Sequence, residues 1–140
     1  MTEDQKKLLI KDLCGRLPYG VKFNFKYAES SSEIMRAIYL QDYMIISSKD
    51  YSCEINDIKP YLFPLSSMTE EQWMDSPYAN LNKFTFDSFK CGCSTLVFET
   101  YEVNLNYVVE FINWCYKNHF DINGFIPMGL AIDCTNLNIY

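Results

Sequence analysis

The chain has 140 residues, 49% hydrophobic and 21% charged, with a net charge of −6 at pH 7. That is the profile of one globular domain, large enough to fold around its own apolar core and too short for two ordinary domains. The negative balance argues against a general binder of DNA or RNA backbone, which needs a basic face.

The charge is nevertheless uneven, with six bases and three acids in residues 1–26 against six bases and fifteen acids in the remainder. This N-terminal excess reads as a solvated helix face, with an anion-binding patch as the alternative. The opening Thr2-Glu3-Asp4-Gln5 brings charge where a secretory leader needs an apolar segment, and no run approaches the length of a membrane span. The expectation is a cytoplasmic protein with six reduced cysteines, at 14, 53, 91, 93, 115 and 134. Their spacing holds no C-x-x-C and no zinc-type Cys/His pairing. Cys91-Gly92-Cys93 reads as a tight turn, with a soft-metal or redox pair as the alternative. Eleven tyrosines are more than a core of this size satisfies, so some are expected on a surface, as at interfaces.

In chain order, Thr2 and Gln5 form a capping box, and Ile10, Leu13, Cys14 and Leu17 follow helical spacing as one buried stripe. Asp12 and Arg16 are expected to pair on the outside of this helix, which Pro18 ends. Val21–Tyr27 alternates as a strand, with Val21, Phe23, Phe25 and Tyr27 on one face and Lys22, Asn24 and Lys26 on the other. Residues 33–46 are expected to form two short strands broken near Gln41-Asp42, and Tyr51–Ile58 a further strand. Pro60 and Pro64 then predict an extended connector over 59–68, because neither can donate to a ladder.

A second capping box, Thr69 with Gln72, starts a short helix carrying Trp73 and Met74 and stopped at Ser76-Pro77. Residues 84–89 and 94–101 read as a hairpin. Asn104 caps the last helix, whose expected stripe is Leu105, Val108, Ile112, Cys115 and Tyr116, and residues 125–130 form a final turn. Helix first, strands in the middle and helix last predicts a single α+β domain over 1–140. Its sheet is expected to be antiparallel, strongly bent or barrel-like, with an N-terminal and a C-terminal helix.

Three stretches carry a resemblance: LLIKDLCGRLPYGVK at 8–22, INDIKPYLFPLSSMTEE at 55–71 and HFDINGFIPMGLA at 119–131. In that order, and over nearly the whole chain, they resemble a family of short proteins of gut bacteria of the Bacteroides group, their phages and mobile elements. The chain departs from the pattern at Pro127 and across 76–82. The resemblance implies a setting, a small accessory protein of a phage or integrated element, and carries no activity over to this chain.

Chemistry-bearing patterns are few. His119 is the one histidine and reads as a helix-end cap or packing residue; no nucleophile elbow or glycine-rich phosphate loop is present. Glu70-Glu71 and Glu99 with Glu102 read as caps or solvated faces. No catalytic residue, metal ligand or cofactor is expected. Trp73, Met74 and Tyr78 form a candidate binding cluster, a partner-binding hot spot or else a lid over the sheet. Lys22, Lys26 and Arg36 are the candidate anion-binding residues. The reading is a non-catalytic binding protein with a protein partner and a homo-oligomer in view. The alternatives are a counter-defence protein that sequesters a nucleotide signal and a carboxylate-dependent enzyme.

Overall fold

The computed structural model describes residues 1–28, 31–41, 43–77, 79, 86 and 105–140. It is an α+β domain built on a mixed, open sheet that does not close into a barrel. The expected hairpin, with Cys91, Cys93 and Glu99, lies outside the described residues apart from Phe86, as do Glu102 and Tyr78.

Helix α1 spans Glu3–Arg16, and its capping box forms as expected: Gln5 N–H donates to the Thr2 hydroxyl at 3.2 Å and Thr2 N–H to Gln5 Oε1 at 2.8 Å. A 3-10 turn at Leu17–Tyr19 closes on Gly20, whose φ of 71° suits glycine. Strands β1 (Lys22–Ala28), β2 (Ser31–Gln41), β3 (Met44–Ser47) and β4 (Ser52–Glu54) form an antiparallel meander. Phe23, Met35, Ala37, Ile45 and Cys53 lie on its buried face, where Leu9 and Leu13 of α1 pack.

The segment expected to be a connector is a strand. β5 (Ile58–Pro64) pairs antiparallel with β1, and in parallel with β6 (Phe120–Asp121) and β7 (Ile132–Asp133). Antiparallel pairs alternate between those that exchange hydrogen bonds and those that do not. The Tyr140 hydroxyl bridges Lys22 N–H to Tyr61 C=O, at 3.0 Å to each. That marks Lys22–Tyr61 as a bonding position and its neighbour Phe23–Pro60 as a non-bonding one. Pro60 therefore occupies a ladder position from which no N–H is required.

Successive side chains of a strand point to opposite faces, and β5 uses both. Leu62 joins the α1-side core, and Phe63 packs against a second cluster of Met68, Trp73, Phe111, Cys115 and Phe120. Two helices supply most of that cluster, α2 (Glu70–Met74) and α3 (Leu105–Lys117). In α3 the fully buried positions are Phe111 and Cys115, while Val108, Ile112 and Tyr116 are half-buried.

The expectation for the outer face of α1 is overturned. Its buried stripe is Leu9, Asp12, Leu13 and Arg16, while Cys14 is exposed. The spacing is the same helical template moved back by one residue, a rotation of about 100°. The Asp12–Arg16 pair lies inside with both side chains at 0% exposure. Arg16 Nε donates to Asp12 Oδ2 at 2.6 Å and Nη2 to Oδ1 at 3.1 Å. Nη2 also donates to the Phe120 carbonyl at 2.7 Å, and Asn123 Nδ2 to Asp12 Oδ1 at 2.8 Å. The guanidinium sits 4.8 Å from the Tyr116 ring centroid. Gly15 makes this approach possible, because a Cβ there would stand 2.4 Å from the Tyr116 ring.

Breaking a buried pair leaves an uncompensated charge, so Arg16→Ala is expected to cost about 3–5 kcal/mol. An apolar replacement of both partners, Asp12→Leu with Arg16→Met, should recover much of that loss. Urea titration of the single and double variants measures the difference, and an unstabilised double variant would show that the pair itself favours the fold.

Candidate binding face

The alternation of β1 turns Phe23 inward and Lys22, Asn24 and Lys26 outward, as the sequence predicts. Register then assembles the face. Lys22 stands opposite Arg36, Asn24 opposite Ile34 on β2 and Lys59 on β5, and Lys26 opposite Ser32. The three bases singled out from sequence thus share one outer face, to which Lys59 is added. Lys22 and Lys26 are about 13 Å apart along the strand, from a rise of about 3.3 Å per residue. The sequence does not single out Lys59, because two prolines mark its segment as a connector; the outward phase of β5 opposite β1 places it.

The bases differ in their engagement. Lys26, Arg36 and Lys59 are exposed. The Arg36 side chain lies along the turn, where a Cβ on Gly20 would come within 2.9 Å of Nε. Lys22 is half-buried: Nζ donates to the Ile139 carbonyl and lies 5.5 Å from the Tyr140 ring centroid. Asn24, at the centre, donates from Nδ2 to the Tyr61 hydroxyl at 3.1 Å.

Beside the bases, β2 presents Ile34 and Tyr39 at 47% and 49% exposure, Tyr39 standing opposite Ile46 of β3. Ile38, 48% exposed, continues the outward phase of Ile34 and Arg36, and the bulge between Ala37 and Tyr39 shifts the alternation so that Tyr39 also faces outward. Tyr43 and Tyr51 are also exposed, at the turns flanking β3. The surplus of tyrosines therefore has a place on the surface.

The second candidate cluster is not assembled at the surface. Trp73 is buried at 4% exposure, its ring centroid 6.3 Å from that of Phe86, and Met74 is exposed. Helical spacing separates adjacent side chains by about 100°, which sends Trp73 into the core and Met74 into solvent. This corrects the hot-spot reading of Trp73: the residue is core, as a lid over the sheet would be. Tyr78 lies outside the described residues.

His119 ends α3 in the left-handed region at φ 59°, a helix-end position that glycine or asparagine usually takes. Its ring stacks on Tyr140 with centroids 3.7 Å apart and planes 11° from parallel. Nδ1 is buried without a hydrogen-bond partner. Burial, and then the Arg16 and Lys22 charges, push its pKa down to about 4. Asp121 is committed to structure, its carboxylate accepting from Phe125 N–H at 2.9 Å and Ile126 N–H at 2.8 Å. Burial raises the thiols of Cys115 and Cys134 to about 12 and about 11, which holds them protonated.

Among the described residues no cluster of His, Cys, Asp or Glu has the makings of a metal site, and Cys14, Cys53, Cys115 and Cys134 are free thiols. A cavity of about 380 Å³ opens between the start of α1 and β3–β4. Of its carboxylates, Glu3 is held by Lys6 at 2.7 Å, which lowers its pKa, leaving Glu54. No helix of the described residues is long and apolar enough to cross a membrane. No family model, curated protein or solved structure matches the chain.

Trp73→Ala is expected to cost about 3–5 kcal/mol and Met74→Ala about 0.5 kcal/mol or less, read from thermal or urea unfolding. A second expectation concerns pH. The folded protein keeps His119 neutral down to about pH 4, whereas an unfolded chain protonates it near 6.5. The unfolded state therefore binds the extra proton in that window, and stability falls as pH drops through it. His119→Asn, which tolerates φ > 0 and does not titrate, should lose less stability than the wild type over the same range.

Proposed function

We propose that this is a non-catalytic binding protein, and that the outer face of β1, β2 and β5 docks an acidic protein partner. The observation that carries the reading is the joining of Lys26, Arg36 and Lys59 with exposed Ile34, Ile38 and Tyr39 on one side of the sheet. Bases gathered on one face of a chain of net charge −6 are placed for charge complementarity, which sets orientation and association rate. Adjacent Ile and Tyr side chains supply the apolar area that charge alone lacks, in the mixture typical of interfaces. A setting in a phage or mobile element, implied by the family resemblance, is part of the same proposal.

The test uses an acidic, aromatic polypeptide, a fluorescent Glu/Tyr copolymer. It should bind the wild type in a salt-dependent way. Charge reversal by Arg36→Glu with Lys59→Glu is expected to weaken binding roughly tenfold or more, about 1.4 kcal/mol, with unfolding unchanged. Equal affinity in a folded double variant would remove this face from consideration.

A further inference from the structure

We propose that residues 135–140 are an autoinhibitory strap that occupies the Lys22 end of the basic face and is displaced by the acidic partner, Cys134 staying bonded through its N–H to the Leu62 carbonyl of β5. The inference rests on the binding reading given above and adds its regulation.

Three observations carry it. First, the strap is fastened at one place. Among the described residues, the hydrogen bonds that tie 135–140 to β1 and β5 run through Lys22 and Tyr140: Lys22 Nζ to the Ile139 carbonyl, Lys22 N–H to the Tyr140 oxygen, and the Tyr140 hydroxyl to the Tyr61 carbonyl. Its other bonds span two or three residues: Thr135 N–H and hydroxyl to Asp133 Oδ1 at 2.9 and 2.6 Å, Leu137 N–H to Cys134 C=O at 2.9 Å and Ile139 N–H to Leu137 C=O at 2.8 Å. Leu137 and Tyr140 keep 45% and 41% of their surface exposed, and the ring contacts of the segment are those of Tyr140 with His119 and Phe63.

Second, release orphans no backbone group. The phenol stands between the N–H of Lys22 and the C=O of Tyr61, the pair that follows Phe23–Pro60 in the β1–β5 register. When it withdraws, the ladder has the next rung to close directly between those two groups, so neither is left unsatisfied.

Third, the ligand of Lys22 is replaceable by a better one. The ammonium is held by a neutral carbonyl, and a partner's carboxylate adds the attraction between two opposite unit charges. Strap and acidic partner therefore compete for one cation, and the strap's departure adds Lys22 to the exposed Lys26, Arg36 and Lys59.

His119 reports the position of the strap, because the Tyr140 ring that covers it leaves with it. Arg16 from α1 and Lys22 from β1 act on its titration in both states. The experiment follows the His119 ring by NMR pH titration in wild type, Tyr140→Ala and Tyr140→Phe, with the affinity of each for fluorescent poly-glutamate. Tyr140→Ala should raise the His119 pKa from about 4 toward 6.5. It should also tighten poly-glutamate binding on the order of fivefold, as removal of a closed, non-binding population does. Tyr140→Phe keeps the stacked ring without either hydrogen bond and should fall between, giving a readout even if Tyr140→Ala folds poorly. Saturating poly-glutamate should move the wild-type His119 titration the same way.

Folded Tyr140 variants that bind no tighter, or a wild-type His119 titration unmoved by saturating poly-glutamate, overturn the strap. If Arg36→Glu with Lys59→Glu still weakens binding in that case, the face stands and the strap alone is lost. If poly-glutamate does not bind at all, both are lost.

Discussion

A buried ion pair at Asp12 and Arg16 is the constraint on which the rest of this structure depends. Two charges withdrawn from water cost several kcal/mol each unless geometry and further hydrogen bonds offset the loss. Here the offset comes from several elements: the pair's own 2.6 and 3.1 Å bonds, the Phe120 carbonyl of β6 and the Asn123 amide of the following turn. Tyr116 of α3 covers the guanidinium, and Gly15 of α1 makes room for it. Apart from Arg16 Nη1, which is buried without a hydrogen-bond partner, such a pair finds its partners only when α1, α3 and β6 are all in place. It fixes how the helices dock more than it adds net stability.

Strand β5 carries the same junction into the sheet. Its alternation feeds Leu62 into one core and Phe63 into the other, while β6 and β7 extend the sheet in parallel beside it. The turn between them is held by Asp121, whose two oxygens accept consecutive N–H groups. His119 enters β6 from a left-handed helix end and is closed over by Tyr140. The buried pair, the helix end and the Lys22 end of the outer face are thus neighbours, which is why Arg16 and Lys22 both act on His119.

The two sides of the meander have different consequences. One is filled by α1. The other presents bases and apolar side chains together, while Asp12, Asp121 and His119 are occupied with structure. Lys22, at one end of that face, is engaged by the Ile139 carbonyl and the Tyr140 ring.

Local chemistry alone determined the helix starts, since both capping boxes need only residues three apart: Thr2 with Gln5 and Thr69 with Gln72. It also determined the inward and outward faces of β1, because strand alternation is a property of the backbone, and the α+β order of elements. Tertiary structure decided what depends on a distant partner. An i,i+4 acid–base pair reads the same on a surface as in a core, and Asp12–Arg16 went inside because Phe120 and Asn123 meet it across more than a hundred residues. Pro60 discourages a strand locally, yet its place opposite Phe23 asks for no donor. Trp73 and Met74 are indistinguishable as exposed aromatics and thioethers until the helix phase against Phe111 and Phe120 buries the first. Lys22, Lys26, Arg36 and Lys59 became one face through register, a relation between strands that no single segment contains.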